Sequence, residues 1–149
     1  MADKDVLSGD DFYLAYSTDG GTTKVQIPGW RRFAPGLKYR EINTEAGGDA
    51  IKTGKPGRLD TMPKLTILKD KNNDTELDVL LDAHNAKTTI GLYWAREAVT
   101  GAPLYGLSVY VSQFETAYEQ QKEQEIEIEF MPADPDWISD PASATLSLA

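Results

Sequence analysis

The sequence predicts a mainly β fold: an antiparallel β-sandwich or barrel flanked by one α-helix at about residues 75–86. Three observations carry that prediction. Several short segments alternate apolar and polar residues, the period of an extended chain. Glycine- and proline-rich turns separate them. One segment alone carries an apolar stripe at helical spacing.

Taken in order, "DFYLAYS" at residues 11–17 is the first strand, with Phe12, Leu14 and Tyr16 opposite Tyr13, Ala15 and Ser17. "TDGGT" supplies a hairpin turn, because paired glycines accept positive φ freely. "TKVQIPGW" continues as a second strand, ended by Pro28-Gly29, and "LKYREIN" follows the Pro35-Gly36 turn as a third. Residues 44–61, "TEAGGDAIKTGKPGRLDT", hold four glycines, one proline and no apolar period, which reads as a long loop. Loops of that length in a compact domain are usually functional or disordered. "MPKLTILKD" resumes as a strand.

The helix is "DTELDVLLDAHNAK". Asp74 suits its N-cap, and Glu76 and Asp78 sit where the helix dipole favours anions. Leu77, Leu80, Leu81 and His84 form one buried stripe, while Asn85 and Lys87 suit its end. "TTIGLYWAR" and "LYGLSVYVSQFET" are strands joined by "EAVTGAP", with Val109 and Val111 pointing inward. The last strand is the clearest, because Ile126, Ile128 and Phe130 alternate with Glu125, Glu127 and Glu129. It has an oily face and a comb of carboxylates about 7 Å apart. Six to eight strands result, in one domain spanning residues 1–149. A polar N-terminal arm at about 1–10 and a proline-containing C-terminal arm at about 132–149 flank it.

Composition narrows the function. With no cysteine there is no disulfide, thiolate metal site or cysteine nucleophile. No apolar run reaches the length of a membrane span, and the acidic start is unlike a secretory signal; a soluble chain made in the cytoplasm is expected. A net charge of −9 argues against a conventional phosphate-binding surface. That charge is unevenly spread: −4 over residues 1–19, +6 over 20–71 and −11 over 72–149. Copies meeting positive to negative, head to tail, would use such asymmetry.

Motifs for chemistry fail on inspection. "GDAIKTGKP" has five residues between its glycines where a phosphate loop has four, and Pro56 replaces the magnesium-binding hydroxyl. "DKNNDTELD" places Asp70, Asn72 and Asp74 at calcium-loop positions, but Thr75 replaces the required glycine and Leu81 the bidentate acid. His84, the only histidine, lies on an apolar stripe and reads as a satisfied, partly buried side chain. The comb has the spacing of a glycosidase pair, yet one strand makes a wall where such a pair must flank a cleft. Trp30, Trp94 and Trp137 read as core or interface anchors. No catalytic residue, metal ligand or cofactor site emerges, so the chain does not read as an enzyme.

The strand order, the long loop between Asn43 and Met62, the helix after "KDKNND" and the "FMPADPDW" exit together resemble the tail tube proteins of long-tailed bacteriophages. Type VI secretion tube proteins share that architecture. The resemblance implies six subunits per ring, an inner sheet continued around a central barrel, and rings stacked into a hollow tube. Such a tube surrounds a tape-measure protein, is finished by terminator and baseplate proteins, and conducts DNA without binding it specifically; it is part of the virion. It implies an inter-ring loop with Gly47, Gly48, Lys52, Lys55 and Arg58 reaching the next ring, and an acidic lumen or inter-subunit face at Glu125, Glu127 and Glu129. Lys38 and Arg40 alternate on an early strand and Lys64 lies on the next, so if those strands line the channel the lumen is not uniformly negative. The alternatives are another morphogenesis protein, such as a tail terminator or decoration protein, or a monomeric β-sandwich that binds a ligand.

Overall fold

The computed structural model describes residues 12–43, 47–48, 50–51, 54–69, 74–118, 120 and 124–147. Its main sheet has seven antiparallel strands, and a two-stranded hairpin stands apart. In chain order the elements are β1 (Tyr13–Ser17), β2 (Val25–Gln26), β3 (Trp30–Ala34), β4 (Lys38–Asn43), β5 (Gly54–Asp60), β6 (Lys64–Leu68), α1 (Asp74–Ala86), β7 (Thr89–Ala95), β8 (Tyr105–Ala117) and β9 (Glu125–Pro132). The order across the main sheet is β2-β1-β7-β8-β9-β6-β3, and β4 pairs only with β5.

The connection between β2 and β3 forces this sheet to roll up. The two strands lie at opposite edges, yet only Ile27, Pro28 and Gly29 join them. Four Cα steps span at most about 14 Å. Seven flat strands would hold the edges about 29 Å apart. The sheet therefore curls until its ends meet, which is the predicted sandwich or barrel. Aromatic rings fill the seam: Phe12 packs edge-on to Trp30 at 5.5 Å, and Phe33 touches both Phe12 at 5.7 Å and Trp94 at 5.4 Å. The row continues through Tyr105, stacked on Trp94 at 5.4 Å, to Trp137. The three tryptophans, far apart in sequence, thus join one cluster.

Inside the roll, Ile126, Ile128 and Phe130 of β9 meet Leu65, Ile67, Val109 and Val111, and α1 contributes Leu77, Leu80 and Ala83. The helix starts at Asp74, where Lys69 pairs with its carboxylate, and ends where Lys87 takes a left-handed φ of 57°. That residue turns the chain so that the Thr88 amide donates to Ala83 O at 3.2 Å, closing the last turn. His84 is half-buried with Nδ1 2.8 Å from Val111 O, a satisfied side chain as its position predicts. The β1–β2 turn is tied by Ser17 and Asp19. Hydrogen bonds from the Thr23 amide and the Ser17 hydroxyl hold the Asp19 carboxyl below the usual carboxylate range.

Three expectations need correction. Residues 30–34 form a strand, β3, that the sequence did not advertise: "WRRFA" lies between two Pro-Gly pairs and is too short to establish an alternation. The loop expected over 44–61 is in its second half a strand, β5, pairing Lys38↔Asp60 through Asn43↔Gly54 with β4. Two glycines and a proline give "GKPGRLD" little intrinsic β preference, so its partner holds it extended. The segment after Pro132, expected as an arm reaching away, folds back on its own subunit. Its residues pair with 101–106 through hydrogen bonds such as Leu146 N to Ala102 O at 2.7 Å, and Leu146 is only 2% exposed. Small residues disguise this strap, because backbone hydrogen bonds, Trp137 and the buried Leu146 hold it without any apolar period. The N-terminal arm, Asp70 and Asn72 lie outside the described residues.

Candidate assembly surface

The outer side of the sheet divides into two halves. Over β1, β7 and the start of β8, Tyr13, Ala15, Tyr93 and Ala95 form a second apolar cluster that Leu104 and Leu146 cover. Over β3, β6, β9 and the end of β8, no described segment covers the sheet, and its side chains are mostly charged or polar, with Ala34, Leu68 and Ala117 among them.

Register fixes the layout of this bare half. Arg32 pairs with Thr66, Thr66 with Glu127, and Glu127 with Glu115, so these four lie in one row across β3, β6, β9 and β8. The next row runs Ala34, Lys64, Glu129, Gln113. Glu125 and Glu127 are exposed and Glu129 is half-buried. Only Glu129 of the comb has a described counter-charge, Lys64 Nζ at 3.5 Å. That pair is exposed on the lysine side and contributes at most about 1 kcal/mol. Glu127 instead faces Glu115, a like-charge cross-strand pair that disfavours folding. Gln113 Nε2 donates to Glu115 Oε2 at 2.9 Å, which solvates but does not neutralise it. Four carboxylates and two cations leave this face net negative. Lys64 moderates it as expected, and Arg32 on β3 does so too; Lys38 and Arg40 lie on β4, outside this sheet.

The β4–β5 hairpin projects as a separate feature. Each of its strands has the other as its only substantial neighbour among the described elements. Its root is fixed where the Thr61 hydroxyl donates to Pro35 O at 2.6 Å. Gly36, at φ +65°, lies so close to Met62 that an added Cβ would meet the Met62 carbonyl oxygen at 3.1 Å. Leu37, Tyr39, Ile51 and Met62 are exposed on or beside the hairpin. Beside the root a groove of about 550 Å³ opens between Leu59, Met62, Leu107, Pro132 and Trp137, with Asp134 and Asp136 on its rim. Of the residues singled out in the loop, Gly47 and Gly48 lie in an exposed turn and Lys55 is exposed on β5. Arg58 belongs to β5 by its backbone, and Lys52 lies outside the described residues. Gly47, Gly48 and Lys55 thus lie apart from the main sheet that carries the glutamate comb.

No protein-family model matches the chain, and neither does any curated protein. Solved structures do match in fold. The SPP1 tail tube, determined by solid-state NMR and cryo-electron microscopy, superimposes with a TM-score of 0.71 at 15% identity, over 87% of this chain and 77% of that one. The tail of an empty gene transfer agent particle, refined with C6 symmetry, gives 0.61 at 11% identity over 97% and 100% of the two chains. A chain of the native gene transfer agent virion gives 0.63 at 10% identity over 87% and 95%. The chain has the fold found in these tails, as its sequence style suggests.

Proposed function

We propose that this chain is a structural subunit whose copies close into rings, and that the rings stack into the hollow tail tube of a virion. The observation that carries the reading is the match in fold to the SPP1 tail tube and to gene transfer agent tails, the latter over nearly the whole of both chains. The two surfaces support it from the side of physics. A hairpin with exposed apolar residues and few contacts in its own subunit is stabilised when a neighbour covers it, and here it takes the role of the inter-ring loop. Lys55 on its flank, with Lys52 and Arg58, would meet acids of the next ring. Six copies per ring is the number the resemblance implies.

The bare sheet half suits a channel wall. It is net negative, and the described rows through Glu125, Glu127 and Glu129 hold no aromatic side chain on which bases would stack. A wall that bound phosphates would release counterions and hold the DNA. One with Glu115, Glu125 and Glu127 unneutralised repels it and lets it slide. The same wall would enclose a tape-measure protein during assembly, with terminator and baseplate proteins closing the ends. Negative-stain microscopy of purified protein at increasing concentration tests the reading: rings or hollow tubes are expected. A strictly monomeric protein at high concentration, unaltered by other tail components, would contradict it.

A further inference from the structure

The groove beside the hairpin root has an apolar floor and a rim of one charge sign. Leu59, Met62, Leu107 and Trp137 line its floor, and it measures about 550 Å³. Asp60, Asp134 and Asp136 stand around it, and no lysine or arginine is among its lining residues. Asp134 and Asp136 are exposed, and neither has an ion pair among the described residues. The Asp136 amide donates to Asp134 Oδ1 at 3.2 Å, so one tight turn carries both carboxylates. A concave apolar surface with an acidic border fits an apolar side chain carried on a basic segment.

The tip of the β4–β5 hairpin answers that description. Residues 50–58, "AIKTGKPGR", contain three cations and no acid, and Ile51 is their only large apolar side chain. Ile51 is 75% exposed, more than any other large apolar side chain among the described residues. It does not line the groove of its own subunit, so each copy has an uncovered tip and an open groove. The N-terminal segment is a poor rival for the groove. Its apolar Val6 and Leu7 come with four aspartates and one lysine in residues 1–11, and the acidic rim repels them.

We propose, building on the tube reading, that the hairpin tip of one copy seats Ile51 in the groove of a copy in the next ring, its cations against Asp134 and Asp136. The site that receives the loop is thus formed by the hairpin root and the exit from β9. Tip and groove are different surfaces, so the contact is heterologous and repeats from ring to ring without closing. Covering Ile51 and Met62 supplies the attraction, and the charges select which segment enters.

Charge reversal tests the rim. Asp134→Lys together with Asp136→Lys should lower the fraction of rings found in stacks by about ten-fold, and Ile51→Asp should do the same. Adding Lys52→Glu and Lys55→Glu to the reversed rim should restore stacking. Circular dichroism checks that each variant folds. A cysteine pair reads the contact directly, because the chain has no cysteine of its own. An Ile51→Cys chain is mixed with a Met62→Cys chain, assembled and oxidised. The two thiols sit on different molecules, so no bridge can form within one subunit, and a heterodimer in excess of either homodimer is expected. Tubes that form without that heterodimer, or a reversed pair that fails to restore stacking, would place the tip elsewhere and leave the tube reading standing. If a charge variant does not fold, the disulfide alone decides. A wild type that never assembles removes the tube reading, and this inference with it.

Discussion

Tyr93 shows how much of this fold rests on single residues. It is 1% exposed, on the outer side of β7 beneath the C-terminal strap. Its ring occupies a slot that three glycines leave open. An added Cβ would lie 2.7 Å from the ring at Gly106, 2.9 Å from it at Gly91 and 2.5 Å from its hydroxyl at Gly21. Lys24 closes the slot, with Nζ 5.0 Å from the ring centre. Burial, and next the charge of Asp19, push the Tyr93 hydroxyl above its ordinary pKa, so it stays neutral at physiological pH. The sequence shows these glycines only as interruptions in strand patterns; the slot depends on the Tyr93↔Gly106 register, which no local pattern encodes. Gly106→Ala should therefore cost about 1–3 kcal/mol by overpacking. Because the new methyl also meets Ser139, limited proteolysis should cut the strap faster in that variant. Unchanged melting and cleavage would mean that the strap does not pack as described. The comb, by contrast, was fully legible, since period two needs no partner to be read.

At the scale of elements, legibility followed the strength of the local pattern. The helix, β8 and β9 carry long periodic stretches, and their expected bounds agree with the structure to within a few residues. β3 and β5 do not, because pairing with β6 and β4 holds them extended more than their own residues do. The hairpin shows the consequence. None of its described side chains belongs to either buried cluster, so its removal should hardly disturb the body. Deleting residues 46–58 is expected to change the unfolding free energy by less than about 1 kcal/mol while abolishing ring stacking. Chemical denaturation and microscopy of the same preparation check both halves. A large loss of stability would place the hairpin in the fold rather than in the contact between rings.

For the whole molecule, a rolled sheet, a strap over one half of its outer side and a bare polar half over the other divide the work. The roll with α1 packed against it supplies stability, and the uncovered face and projecting hairpin are left for neighbours and channel. The charge blocks along the sequence acquire a location through this layout. The basic middle segment contains β3, the hairpin and Lys64, and the acidic last segment contains β8 and β9. The seam between those segments crosses the bare face itself, between β6 and β9. Sequence alone could show the asymmetry but not this juxtaposition, because strand order within the sheet is not chain order. A cryo-electron microscopy reconstruction of the assembled protein tests the central claim most directly. The account predicts a hollow tube of stacked rings whose channel wall presents Glu115, Glu125 and Glu127, with the β4–β5 hairpin between rings. A filament without a channel, or a tube carrying those glutamates on its outer surface, would contradict it.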